Sequence, residues 1–288
     1  MSLDAANKWC YDLLKRATII KEGVCRFSVR NVKGEKKMKK RITSLVVCAA
    51  FLSLSTHAWA CRPLFTDDCP PTDQGHFGIE TGLLSSNQSG FDQNLQEMTS
   101  IKYGLFERAD IGIDLPYQSI TPSGGSNASG LADVNVKSKI GIIPLNDNNL
   151  GVSVGLNAKL ANGDSAKGLG SGAVDYSINT IFTKTLPNSL VHLNLGYTFT
   201  GQPSGQSLNN VISCGLAGQY NLRDSFRVLG EVFGSTPSDP ASNLDLAAAQ
   251  IGFNWDFNPN LTLDAGYTVG LSDASPKNMI TAGLTASI

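Results

Sequence analysis

Several stretches of the chain alternate strictly between apolar and polar residues. Ala109, Ile111, Ile113, Leu115 and Tyr117 are interleaved with Asp110, Gly112, Asp114 and Pro116. The same period of two runs through 133–142, 150–160, 191–200, 251–257 and 261–271. Successive side chains of an extended strand point to opposite faces, so each stretch predicts a strand with one apolar and one polar side. Weaker runs at 76–85, 94–105, 173–184, 208–220, 225–234, 243–257 and 278–288 fill the gaps. The total is about twelve strands of roughly ten residues, an even number and a length that crosses a bilayer when tilted.

The connections alternate as well. Tight polar turns fall at 106–108, 145–149, 187–189, 221–224 and 258–260. Between them lie Gly/Ser/Asn/Pro-rich loops at 86–93, 119–130, 161–172, 201–207, 235–242 and 272–277. Short turns at one end and long loops at the other are the pattern of an outer-membrane barrel, and an even strand count leaves both termini at the short-turn, periplasmic end. A soluble β-sandwich also alternates, but its polar face meets bulk water and is rich in Lys and Glu. Here that face is Gly, Ser, Thr, Asn and Asp, and the apolar face extends over every strand. The expectation is an all-β protein: a single transmembrane antiparallel up-and-down β-barrel over 75–288, preceded by a segment 61–74 folded at or into the periplasmic mouth.

No run of eighteen apolar residues occurs, which excludes a helical membrane bundle. The segment 38–60, MKKRITSLVVCAAFLSLSTHAWA, has a basic start, a short apolar core and a small-x-small box ending at Ala60. It reads as a secretory signal peptide cleaved between Ala60 and Cys61. Residues 1–37 precede it without a fold pattern. Gly34-Glu35, just before Met38, can be encoded as a ribosome-binding sequence, so Met38 is read as the true start and 1–37 as a leader; peptides from before Met38 in the precursor would refute this. Twelve of the 23 basic and four of the 24 acidic residues lie in 1–60, which leaves 11 against 20 and a net charge near −9. An acidic exported chain lacks the basic footprint of a nucleic-acid binder. The expected location is the cell outer membrane.

Cys61, Cys69 and Cys214 remain after cleavage. An oxidising compartment permits a Cys61–Cys69 disulfide. Lipidation of Cys61 is the alternative, but bulky Trp59 stands where a lipoprotein signal wants a small residue.

The stretch 161–172, ANGDSAKGLGSG, imitates two kinds of active site. Ser165 would need a histidine and an orienting acid to become a nucleophile. His192 lies mid-strand on a polar face, out of reach of a loop serine, so an enzyme is not expected. Gly168, Gly170 and Gly172 lack a phosphate-loop frame, and a strand rather than a helix follows. Asp164 and Lys167 are instead candidates for the channel entrance. No metal-ligand spacing is present, and no cofactor is expected. Asp133, Lys137, Lys139, Lys159, Asp175, His192, Asn194, Asp256 and Asp264 are candidate pore-lining residues, with Asp245 a further lumen charge. They would either select solutes or pair with one another to fill the barrel; a twelve-strand barrel lies between plugged and open sizes, so both readings stand.

Particular motifs occur in order: RPLFTDD at 62–68, KYGLFERADIGIDLPY at 102–117, GLADV at 130–134, NGD at 162–164, GLGSG at 168–172, LNLGYTF at 193–199, NLTLDAG at 260–266 and LSDASP at 271–276. Together they resemble the family of outer-membrane β-barrel transporters named for the MetA-pathway of phenol degradation, over essentially all of 62–288. The resemblance implies a barrel with a transport role and no defined solute. Two features depart from it: the chain ends on Ile288 rather than an aromatic, and Cys61 and Cys69 flank the opening motif.

The expected function is passive movement of small solutes, aromatic or hydrophobic ones among the candidates. A non-conducting structural or surface-interaction barrel is the alternative, and an outer-membrane hydrolase a distant third. The implied partners are outer-membrane lipids, the barrel-assembly machinery and a small-molecule solute.

Overall fold

Consecutive strands pair antiparallel with their sequence neighbours, and the last pairs with the first, so the sheet closes on itself. The computed structural model describes residues 62–146 and 149–288. The expected leader (1–37), the signal peptide (38–60) and the cleavage pair Ala60 and Cys61 lie outside the described residues. The strands are β1 (Phe77–Asn87), β2 (Phe91–Phe106), β3 (Ala109–Pro122), β4 (Ala128–Leu131), β5 (Asn135–Ile143), β6 (Leu150–Lys159), β7 (Asp175–Leu186), β8 (Ser189–Phe199), β9 (Val211–Arg223), β10 (Phe226–Ser235), β11 (Leu246–Asn258), β12 (Leu261–Gly270) and β13 (Asn278–Ser287).

Twelve of these form the closed antiparallel barrel, and β4 is an extra short piece. The register explains it. Tyr117 faces Leu131 on β4, while Asp114 faces Asn135 on β5. Two residues of β3 therefore oppose three of the facing strand, 132–134, and Ala132 still donates to the Pro116 carbonyl at 2.8 Å. β4 and β5 are thus one strand interrupted by a bulge, a device that re-aims a side chain. The side chain re-aimed is Asp133. The alternation of 133–142 had placed Asp133 on the strand; it sits in the bulge instead, because the pattern cannot reveal an inserted residue.

The short turns are 107–108, 144–149, 187–188, 224–225 and 259–260. Asn188 takes φ 59° in its two-residue turn, a conformation that asparagine tolerates better than most residues. The loop expected at 86–93 contracts to a turn at 88–90, because β1 and β2 continue pairing as far as Ser86 and Asn94. Ser86, Asn87, Asp92 and Gln93 are strand residues, with Asn87 still facing Asn278 and Gln93 facing Thr121. At the seam, Phe77 and Ile288 exchange backbone hydrogen bonds of 2.8 and 2.9 Å, so the terminal isoleucine is zipped to the first strand.

The apolar faces all point outward. Leu83, Ile111, Ile140, Leu195, Ile251 and Ile280 are exposed around the wall. Soluble monomers seldom expose apolar patches larger than roughly a few hundred Å²; a band around the whole barrel suits hydrocarbon. Two aromatic girdles bound it. Phe77 and Tyr103 (centroids 4.6 Å) and Trp255 and Phe257 (5.9 Å) lie at the short-turn end. Tyr197 and Phe199 (4.9 Å), with Tyr117, Tyr176 and Tyr267, lie toward the long-loop end. No helix among the described residues is long and apolar enough to cross a membrane.

Candidate functional site

The inner face is polar, and the N-terminal segment lies against it. Residues 62–74 enter at β12 and β13, run round the wall past β11, β10, β8, β7, β6, β5 and β3, and leave at β2. They form a strap inside the barrel rather than a tail at its mouth. The wall holds it chiefly by its backbone. Glu231 accepts the N–H groups of Phe65 (2.8 Å) and Thr66 (2.9 Å). Asn194 accepts the Asp67 N–H (2.9 Å) and donates to its carbonyl (2.8 Å). Gln250 donates to the Pro63 carbonyl (2.7 Å), Thr183 accepts the Cys69 N–H (3.0 Å) and Asp110 accepts the Thr72 N–H (2.7 Å). Arg62 meets Asp264 at 3.3 Å, and Lys139 meets Asp67 at 3.0 Å and Asp68 at 3.1 Å.

The wall is also shaped for the strap. A Cβ built on Gly215 would come 2.5 Å from Thr66 Oγ1, on Gly252 2.7 Å from Pro63 Cγ, on Gly283 2.6 Å from Arg62 Nε and on Gly151 2.8 Å from Cys69 Sγ. Gly82 leaves room for the Arg62 guanidinium, and Gly104 for the Asp73 carbonyl. These inward glycines mark a track. Their role is close approach, since no positive φ is required of them.

Cys69 is a free, buried thiol whose sulfur lies 3.2 Å from Ser153 Oγ. Cys61, the disulfide partner expected for Cys69 from the sequence, lies outside the described residues. Cys69 packs into the strap's track over Gly151.

The sequence-predicted pore-lining residues lie on the inner side, and nearly all have partners; Asp245, also expected in the lumen, lies instead in the long loop before β11, because the alternation there does not show where the strand begins. Lys137 pairs with Asp114 at 2.6 Å, Lys159 with Asp175 at 2.7 Å, and Arg227 with Asp256 at 2.6 Å. Asp256 also accepts from Thr262 at 2.7 Å. His192 is buried with its Nδ1 2.9 Å from Thr183 Oγ1. Asp133 gathers the loop 160–174. It accepts the N–H groups of Gly163 (2.9 Å) and Ser171 (2.7 Å), and Lys159 stands 3.7 Å away. Burial pushes the Asp133 carboxyl up, but these hydrogen bonds and Lys159 outweigh it and hold the group below its ordinary range. Gly163 and Gly170 meet at close range beside it, so a side chain at either would clash.

Asp164 and Lys167 pair with each other at 2.8 Å on the exposed side of the loop, around a single 3₁₀ turn, Ser165–Lys167. The hydrogen bond between them holds the Asp164 carboxyl low and the Lys167 ammonium high. Ser165 stays in this loop, whereas His192 belongs to the short-turn half of β8. The two are not brought together. No group of three or more potential metal-ligating side chains occurs among the described residues.

Sequence reading missed Glu80, Lys102 and Glu231. Their runs alternate weakly because inward polar residues share the face with Leu84, Met98 and Phe233. Lys102 pairs with Glu80 at 2.6 Å. Gly112 lies between Lys102 and Lys137 across the strands, and a Cβ there would come 3.3 Å from each lysine side chain. The available signal was the glycines themselves: polar-face positions kept without side chains on many strands ask for something to lie over them.

Three cavities adjoin the strap. One of about 630 Å³ lies among Asp114, Asn135, Lys137, Asn157 and Asn179. One of about 370 Å³ lies between residues 62–67 and Glu80, Gln96, Ser100 and Lys102. One of about 110 Å³ lies between 68–73 and the β13 end at Thr285 and Ser287. Lys102 borders all three, so they meet at its side chain.

Comparisons with known proteins agree with this architecture. An outer membrane channel from Pseudomonas putida F1 superposes with a TM-score of 0.63 at 14% identity, over 78% of this chain and 99% of that one. The KdgM porin superposes with a TM-score of 0.52 at 9% identity, over 73% and 99%. No curated protein matches in sequence. The matching family model starts at residue 71, so the 62–68 motif and most of the strap precede it. Residues 71–288 match the model described as "Putative MetA-pathway of phenol degradation", and the chain belongs to that family.

Proposed function

We propose that this protein is an outer-membrane channel for passive movement of small solutes, narrowed from within by its own N-terminal strap. The barrel stands with its short-turn end and both termini in the periplasm, outer-membrane lipid against its apolar band, and the long loops outside. The observation that carries this is the pairing of a lipid-suited exterior with a polar interior whose cavities meet beside the strap. Cleavage after Ala60 makes the strap the free end of the mature chain, so it can be threaded into the lumen. Chemistry is not part of the proposal, since Ser165 and His192 lie toward opposite ends of the barrel.

A second reading, a barrel that does not conduct, draws on the number of strap anchors. Planar-bilayer recording of the refolded mature protein and of a variant lacking 62–74 separates the two. Stepwise currents from the mature protein, larger in the deletion variant, are expected. Currents from the deletion variant alone would make the native protein a closed barrel; silence from both would sink the channel.

A further inference from the structure

Among the described residues, the aromatic residues of the wall lie almost entirely outside the passage, and Phe65 of the strap is the aromatic that borders it. Among the described residues within the span of the barrel, Phe233 is the one aromatic strand residue that the register turns inward, and Phe65 of the strap covers it at a centroid distance of 4.7 Å. The larger cavity is faced by carboxamides and ion pairs. Asn157 donates to Asn135 at 3.1 Å and Asn179 to Asn194 at 3.0 Å, opposite the Lys137–Asp114 pair. The apolar part of the lining comes from Leu64 and Phe65 of the strap and from Leu84, Met98, Leu156 and Ile181 of the wall, which are outnumbered by polar and charged residues. Sites for apolar ligands are lined mostly by apolar and aromatic groups. A hydrocarbon entering here would strip water from amides and ions and return no hydrogen bonds. A hydrophilic solute exchanges its water for these same groups.

The charges of the passage are unequal. Asp67, Asp68, Asp73, Glu80, Asp110 and Asp114 border the three cavities. Four cationic groups oppose these six: Arg62, Lys102, Lys137 and Lys139. Each of the four is held within 3.3 Å of a carboxylate, so its field is cancelled close by. The long loops add Asp164, Asp239, Asp245 and Asp273 against Lys167 and Lys277. A low-dielectric passage lined by one excess sign concentrates ions of the other sign.

We infer that the lumen passes small hydrophilic solutes, cations in preference to anions, and not the aromatic compounds in the family's name. This rests on the channel reading above and deepens it. The test is the zero-current potential of the refolded mature protein in a tenfold KCl gradient. Potassium permeability is expected to exceed chloride permeability by about threefold or more. Asp114→Asn, alone and with Glu80→Gln, releases lysines from their carboxylates and should move the potential toward chloride; heat-modifiable gel migration confirms that each variant is folded. Phenol added as a probe should leave the current unchanged. Chloride preference in the unmodified protein, or a saturable block by phenol, would overturn the inference while leaving the channel intact. Absence of current even without 62–74 would remove the channel and the inference together.

Discussion

Two segments that are not part of the wall pack against it, and they are held in opposite ways. The strap 62–74 is fastened at many separated points, each a different strand offering one side chain to the strap backbone, over a track of glycines. The loop 160–174 is gathered at the bulge: Asp133 takes the Gly163 and Ser171 N–H groups, Asn162 accepts the Val134 N–H and donates to the Ala132 carbonyl, and Leu169 is buried. A hydrogen bond to a charged group contributes about 1.5–3 kcal/mol net. Spread over the wall, such bonds let the strap lose one anchor and stay docked. Concentrated on the three residues of the bulge, they make the loop a local clasp. The strap is therefore vulnerable to crowding of its track, and the loop to changes at the bulge.

The largest effect expected is from the track. Gly215→Val places a side chain where Thr66 lies and should push the middle of the strap away from the wall, raising conductance toward that of the deletion variant. Gly218→Val on the same strand meets nothing within 4 Å and should leave conductance and folding alone. Equal currents from the two variants would show that the glycines do not serve the strap.

A smaller effect is expected at the clasp. Asp133→Asn keeps one oxygen but turns an amide toward a donor, so only one of the Gly163 and Ser171 bonds survives. The loop should lose about 2 kcal/mol of order, read as faster proteolytic nicking within 161–172 at unchanged barrel melting. The clasp also has an acid dependence whose sign follows from the lowered Asp133 pKa. Its contribution is complete above the ordinary aspartate value of 3.8 and is lost as pH falls through the lower folded-state value. A spin label at Ala166→Cys should become mobile only below that range. Mobility that rises instead above pH 6 would assign the clasp to another group.

The smallest effect is at the exposed pair. Lys167→Ala breaks the contact with Asp164, but exposed ion pairs contribute little. Unaltered nicking of the loop is expected. A change as large as that of Asp133→Asn would move the fastening from the bulge to the tip.

Much of the barrel was legible along the chain, and the clearest strands were those with aromatic or β-branched residues on one face. Strand 261–271 needed only Leu261, Leu263, Ala265, Tyr267 and Val269 to be read. The 86–93 stretch was misread because Asn87, Gln88, Ser89 and Gly90 have loop composition whether they form a long loop or a tight turn between paired strands. Lys137, Lys159, Asp175 and Asp256 were legible as inward groups, since the period of two gives the face directly. Glu231 was not, because its importance comes from Phe65 and Thr66, more than 160 residues earlier.

The period of two, the outward apolar face and the asymmetry of the connections were determined by the sequence alone, because they depend only on neighbours one or two residues apart. The place of the strap, the bulge that aims Asp133 and the meeting of three cavities at Lys102 were decided by the tertiary structure. The physical reason is closure. Once twelve strands form a ring, positions far apart in sequence share one lumen, and a glycine that is only an absent side chain along the strand becomes the space in which another part of the chain lies.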